Sequence, residues 1–172
     1  MAANPAINLA TPYDPIKDFT PIINLAATPI IIAVHPSFPA RDFAGFLKET
    51  REIRTSTPHA SSGTGGIQHM LMEVFKSLAG LKMIHVPYTG TGPALNDTSA
   101  GQVHMILDNL PSALNFIRAG KLVPIVVAAH ERVKALPDTP TFKEIGFEPV
   151  NRMAGKGAPV RMPSTRSLLR RS

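Results

Sequence analysis

The chain has no cysteine and no tryptophan. Without cysteine there are no disulfides, no thiolate catalysis and no cysteine-ligated metal site. A long apolar run is missing too: the longest, Ile30–Val34, falls far short of the roughly 20 residues that span a bilayer. The opening MAANPAINLATPYDP has no basic start followed by an apolar stretch, so it does not read as a signal peptide. Acidic residues are absent beyond Pro149. Up to that point 12 basic residues balance the 12 acidic ones, and the net charge of +6 comes from Arg152, Lys156, Arg161, Arg166, Arg170 and Arg171. A neutral body with a basic end removes the case for a nucleic-acid-binding surface on the folded part.

What the chain does have is punctuation. Its 17 prolines in 172 residues predict many short elements separated by stiff turns. Residues Met1–Pro21 read as loop, because Asn4-Pro5, Pro12, Asp14-Pro15 and Pro21 each disfavour helix. Ile22–Leu25 and Pro29–His35 read as strands, the second apolar on both faces and therefore central in a sheet. A helix follows from Arg41, with Phe43, Phe46 and Leu47 on its inner side. Thr55–Pro58 reads as a turn. The stretch His59–Gly80 then runs from small residues into a helix expected to bury Met70, Leu71, Val74, Phe75 and Leu78, with Gly80 as its stop.

Further strands are expected at Met83–Val86, Val103–Leu107 and Leu122–Ala129. Helices are expected from Pro93 to Gly101 and over Pro111–Ala119, with a short one at Thr141–Ile145. Pro124 places its strand at an edge or on a bend. Strand–helix alternation at this spacing predicts an α/β domain with a mainly parallel sheet. Ligands of such sheets sit beyond the carboxyl ends of the strands. Three loops occupy places of that kind: Ser61–Gly66, Tyr88–Gly92 and Asp108-Asn109.

The first loop, SSGTGG, is neither GxxxxGK[ST] nor GxGxxG, which argues against ATP and NAD. Two readings stay open for it. Gly63, Gly65 and Gly66 at a helix start can form a backbone cradle for an anion, with the Ser61, Ser62 and Thr64 hydroxyls as added donors. Alternatively it is a plain glycine-rich turn. His69, in the first turn of the helix, either points at the ligand or lies on the helix surface. Tyr88, Thr89 and Gly90 offer a hydroxyl-bearing flexible loop or an ordinary turn. Asp108 either orients a ligand amine or hydroxyl, or caps the next helix.

The six histidines include no HxxxH or HExxH pair, so they read as unrelated core or surface residues and no metal is expected. No GxSxG elbow and no carboxylate pair appears. Anion donors without catalytic machinery point to binding without turnover: no enzyme, no cofactor.

Six blocks carry a resemblance. They are YDPIKDFTPI (Tyr13–Ile22), HASSGTGGIQHM (His59–Met70), HVPYTGTGPAL (His85–Leu95), GQVHMILDNLPSAL (Gly101–Leu114), AGKLVPIVVAA (Ala119–Ala129) and ALPDTPTFKEIGF (Ala135–Phe147). In this order the chain, over Asn4–Ala154, is similar to the substrate-binding receptors of tripartite tricarboxylate transporters, the Bug or TctC family. That resemblance implies a type II periplasmic-binding-protein fold with two α/β lobes and a hinge. It also implies a small organic carboxylate or acidic amino acid as ligand, a membrane permease as partner and a periplasmic location. The family's ligand loops in the second lobe fall on Ser61–Gly66, Tyr88–Gly92 and Asp108.

The resemblance also sets expectations about extent. Residues 1–27 correspond to a remnant of the first lobe and the hinge entry, 28–130 to the second lobe, 131–154 to a segment returning towards the first lobe, and 155–172 to a basic, disordered tail. The expected picture is a truncated or frameshifted derivative with much of the first lobe missing, cytoplasmic as written because no signal peptide opens it. Competing readings are the effector domain of a LysR-type regulator, which shares the architecture, and a non-functional fragment.

Overall fold

The computed structural model describes residue 14, residues 17–52 and residues 57–161. Two compact units divide the chain: Met1–Ala27 with Gly155–Ser172, and Thr28–Ala154. The first contributes a two-stranded sheet of β1 (Phe19–Thr28) and β7 (Ala154–Arg161). Strand β1 contains the expected Ile22–Leu25 and extends it at both ends. Strand β7 corrects the expectation of disorder from residue 155 on: through Arg161 the backbone is paired. The rest of that tail, 162–172, lies outside the described residues, as do residues 1–13.

The second unit is built on a five-stranded sheet. Its strands are β2 (Ile30–Val34), β3 (Thr57–Ser61), β4 (Met83–Pro87), β5 (Met105–Asn109) and β6 (Val123–Ala128), in the order β4-β3-β5-β2-β6. Strand β2 is flanked on both sides and all five of its side chains are fully buried, as its IIIAV composition predicts. Four helices connect the strands: α1 (Phe43–Glu52), α2 (Ile67–Ala79), α3 (Thr91–Ser99) and α4 (Leu110–Arg118).

The expected mainly parallel sheet is mixed. β3 pairs in parallel with β4 and β5, but β2 is antiparallel to both β5 and β6. Four strands therefore point one way and β2 opposes them, because it enters through Pro29 rather than from a crossover helix. The carboxyl ends of β3, β4, β5 and β6 consequently share one edge with the start of β2, where Ile30 faces Asn109 and Ala128.

Of the turn expected at Thr55–Pro58, Thr57 and Pro58 belong to strand β3, and residues 55–56 lie outside the described residues. Pro58 is tolerated because β3 pairs there with β4 alone; its pairing with β5 begins only at His59. Strand β6 meets both readings of Pro124: it is an edge strand, and its register against β2 shifts between Ile32 and Ala33. β5 starts later than expected and takes in Asp108 and Asn109, which pair with Ile31 and Ile30. No helix forms at Thr141–Ile145. Thr141 instead bridges Val127, and Val127 and Phe142 exchange backbone hydrogen bonds with Pro140 and Val127.

Side chains alternate across the sheet into two cores. Ile30, Ile32 and Val34 pack with Phe46, Phe75, Met105 and Phe142, whereas Ile31 and Ala33 pack with Leu95, Ile106 and Ala113. Phe43 and Phe46 of α1 are buried and Leu47 packs partly against them, as its spacing predicts. Residues 131–154, expected as a return segment, belong to the same compact unit, with Phe142 and Val150 in its core.

Helix α2 faces the core differently from the expectation. Leu71 and Phe75 are buried, but so are Gln68, Met72 and Ala79, while Met70, Val74 and Leu78 are 39%, 42% and 52% exposed. Both sets have helical spacing. The bulky Phe75, which touches Phe43, Phe46, Phe142 and Phe147, turns its own stripe inward. Gly80 ends the helix at φ 65°, and the Gly80 and Leu81 N–H groups close back on the Lys76 carbonyl.

Candidate functional site

Three helices begin at the shared edge of the sheet: α2 after β3, α3 after β4 and α4 after β5. Their N-caps are Gly66, Gly90 and Asn109, none of which makes a side-chain cap hydrogen bond, and none of the three helices has an acid in its first turn. Each start leaves backbone N–H groups without helical partners and presents the positive end of a helix dipole. Gly90 sits at φ 154°, ψ 175°, a region open almost solely to glycine.

All ten expected site residues lie at this edge, in different roles. Ser61 ends β3 and is buried. Its hydroxyl lies 2.6 Å from His85 Nε2 and within hydrogen-bond distance of the Gly63 N–H and carbonyl. Ser62 and Gly63 are half-buried, Thr64 is exposed and Gly65 is buried. The Gly65 N–H donates to His69 Nδ1 at 3.1 Å, so His69 turns its acceptor towards the loop.

Tyr88 joins the first loop to the second, its N–H donating to the Ser61 carbonyl at 3.0 Å. Its hydroxyl is already engaged, donating to Asp97 Oδ2 at 2.9 Å; burial and that partner push the phenol pKa up. Thr89 is exposed and Gly90 half-buried.

Asp108 is fully buried. Its Oδ1 accepts from the Asn109 N–H at 2.7 Å, from Thr91 Oγ1 at 3.3 Å and from Gln68 Nε2 at 3.4 Å. Asp108 thus ties the first turns of α2 and α3 to the end of β5, and it does not cap α4. Its Oδ2 is buried without a hydrogen-bond partner. Burial raises its pKa, opposed by those three donors.

Three histidines read as unrelated form a stack. His69 lies over His85 with ring centroids 3.9 Å apart and planes at 11°, and His85 lies 5.2 Å from His59. The strands explain part of this: His59 and His85 are register partners on β3 and β4, and α2 lowers His69 onto them. His59 is fully buried with neither ring nitrogen bonded. Burial, with help from His85 and Lys76, lowers its pKa to about 3. His85 is lowered in the same direction, chiefly by burial. Among the described residues no group of three or more His, Cys, Asp or Glu could hold a metal ion, and no helix is long and apolar enough to cross a membrane.

Gln68 and His85 are the participants that sequence reasoning overlooked. The signal for Gln68 was a polar residue within the stripe of Leu71 and Phe75. Nothing local marked His85, whose partner Ser61 is 24 residues away. A shallow cavity of about 170 Å³, lined by Asn115, Phe116, Ala119 and Lys121, lies at the other end of α4 from the three loops.

Comparison with known proteins matches residues 1–164 to the model of the tripartite tricarboxylate transporter family receptor, past the Ala154 at which the resemblance was expected to end. A solved protein described as a periplasmic transporter is 42% identical, with a TM-score of 0.88 over 98% of this chain and 57% of its own. MatC from Rhodopseudomonas palustris, solved with malate, is 30% identical, with a TM-score of 0.83 over 98% of this chain and 57% of its own. Another R. palustris protein, solved with adipate, is 32% identical, with a TM-score of 0.78 over 88% of this chain and 52% of its own. The chain therefore spans just over half the length of these structures.

Proposed function

Because the chain belongs to the tripartite tricarboxylate transporter receptor family, a family of receptors and not of enzymes, we propose that it binds a small organic carboxylate or acidic amino acid at the edge where α2, α3 and α4 begin. One observation carries the reading: three helix starts with no side-chain cap and no first-turn acid open at that edge. A carboxylate is the ligand that such N–H groups and dipoles favour.

Within the site, the Ser62, Thr64 and Gly66 N–H groups and the Ser62 and Thr64 hydroxyls supply donors, while the Gly63 and Gly65 N–H groups are held by Ser61 and His69. Asp108 acts from behind, holding Gln68 and Thr91 so that the two helix starts keep their spacing. Tyr88 contributes its backbone, since its hydroxyl is bonded to Asp97. The Thr89–Gly90 turn lets backbone N–H groups approach a ligand closely. The relatives solved with malate and adipate support a dicarboxylate. Their shared family supports a periplasmic receptor that hands its ligand to a membrane permease.

Calorimetric titration of the chain with malate, adipate, succinate, L-aspartate and L-glutamate tests this. Saturable heat with at least one of them, weakened by a Thr64→Ala and Ser62→Ala double variant, is the expected result. No binding by any of the five at millimolar concentration would overturn it.

A further inference from the structure

The stacked histidines grip the Ser61–Gly66 loop at both ends. His85 holds the Ser61 hydroxyl, which in turn meets the Gly63 backbone. His69 accepts the Gly65 N–H at Nδ1. A neutral imidazole that accepts at Nδ1 carries its proton at Nε2, and here Nε2 faces Glu73 Oε1 at 3.7 Å. The hydrogen-bond geometry assigns that tautomer. Any second proton must enter at Nδ1, the atom Gly65 already occupies.

We propose that neutral His69, braced against His85, is the positioning residue of the Ser61–Gly66 loop, and that protonation of its ring releases the loop at Gly65. Imidazolium donates from both nitrogens and accepts at neither, so the Gly65 N–H loses its partner in the charged state. Stacking acts on the neighbour: a cationic His69 ring 3.9 Å away lowers the His85 pKa further than burial alone. His59, behind His85, stays neutral in its buried position. From α2 itself, Glu73 faces His69, and Lys76 holds Glu73 at 2.7 Å. Rigid loops bind more tightly because less ordering remains to be done on binding. The link to ligand affinity rests on the carboxylate reading above; the release of the loop does not.

Native-state amide exchange across the His69 ring titration, followed by NMR on the full chain, separates the two. Protection of Gly65, taken relative to Ile32 in the central strand, is expected to fall about tenfold as the ring takes its proton, the effect of roughly one hydrogen bond. The two midpoints should coincide. In His69→Phe, which keeps a stacked ring but no acceptor, Gly65 should already be about tenfold less protected at pH 8 and should no longer respond to pH. Gly65 protection that stays constant through the wild-type ring titration would overturn the proposal, and this arm decides even if the variant does not fold. Failure of malate to bind at every pH would count against the carboxylate site and leave the exchange result standing.

Discussion

Asn151 pairs with Ala129 as a neighbouring strand would. Its side-chain oxygen accepts from the Ala129 N–H at 3.1 Å and its side-chain nitrogen donates to the Ala129 carbonyl at 2.9 Å. Ala129 directly follows edge strand β6 and is buried, so its backbone groups need partners. One amide side chain satisfies both. Asn151→Ala should therefore cost about 1–3 kcal/mol in a urea melt. Asn151→Asp should also destabilise, since a carboxylate cannot donate to the carbonyl. Unchanged midpoints in both variants would show that the clasp contributes nothing.

The outward turn of Val74 and Leu78 makes a second, opposed pair of expectations. Phe75 is fully buried and touches four other phenylalanines; Phe75→Ala should cost about 3–5 kcal/mol. Leu78 is half exposed on the same helix, and Leu78→Lys should change stability by no more than about 0.5 kcal/mol. Urea midpoints for the two variants discriminate sharply. Similar losses in both would place the Val74–Leu78 stripe against the core after all.

That helix shows where sequence reasoning stops. Residues 67–79 carry two adjacent apolar stripes with the same period, and periodicity alone cannot say which one faces inward. The choice is made by Phe43, Phe46 and Phe142, which come from elsewhere in the chain. Strand β2 was legible because its five apolar residues are mostly β-branched and lie between Pro29 and Pro36, too short a span for a buried helix. Strand β3 was hidden by Pro58 and by small residues with little strand preference, and its pairing with β4 is what forms it. The loop edge was legible through a rule of topology, the position of strand ends. The partners inside it were not: Gln68 reaches Asp108 across 40 residues and His85 reaches Ser61 across 24. No local pattern encodes contacts at that separation.

Buried His59 sets the direction of an acid response. Its pKa falls from the ordinary 6.5 to about 3 in the folded state, so between those values the unfolded chain binds a proton that the folded chain does not. Stability is unaffected above about pH 6.5 and is lost below it, by about 1.4 kcal/mol per pH unit. His85 shifts in the same direction and adds to the loss. His59→Leu removes an imidazole whose two nitrogens have no partners. It should raise stability at pH 5 more than at pH 8, as read from urea melts at both. An equal gain at the two pH values would mean that His59 is not held neutral.

Asp108 works in the opposite sense. Burial raises its folded-state pKa above 3.8, so the folded chain keeps a proton that the unfolded chain has already released. The stability tied to the neutral acid is fully present below about pH 3.8 and is lost as pH rises through the folded-state value. Asp108→Asn keeps an oxygen for the Asn109 N–H, Thr91 and Gln68 and carries no charge, so it should be more stable than the wild type at pH 8 and lose that advantage near pH 3.5. Asp108→Ala deletes the acceptor, leaves the buried Gln68 amide and the Thr91 hydroxyl without it, and should cost about 1–3 kcal/mol near pH 3.5, a deficit that shrinks as the pH rises and the wild-type carboxyl ionises. Stability curves of the three proteins between pH 3.5 and 8 check both statements. If Asp108→Asn did not rise above the wild type between pH 3.5 and 8, burial would not be raising the Asp108 pKa, and the carboxylate would be favoured in its buried site.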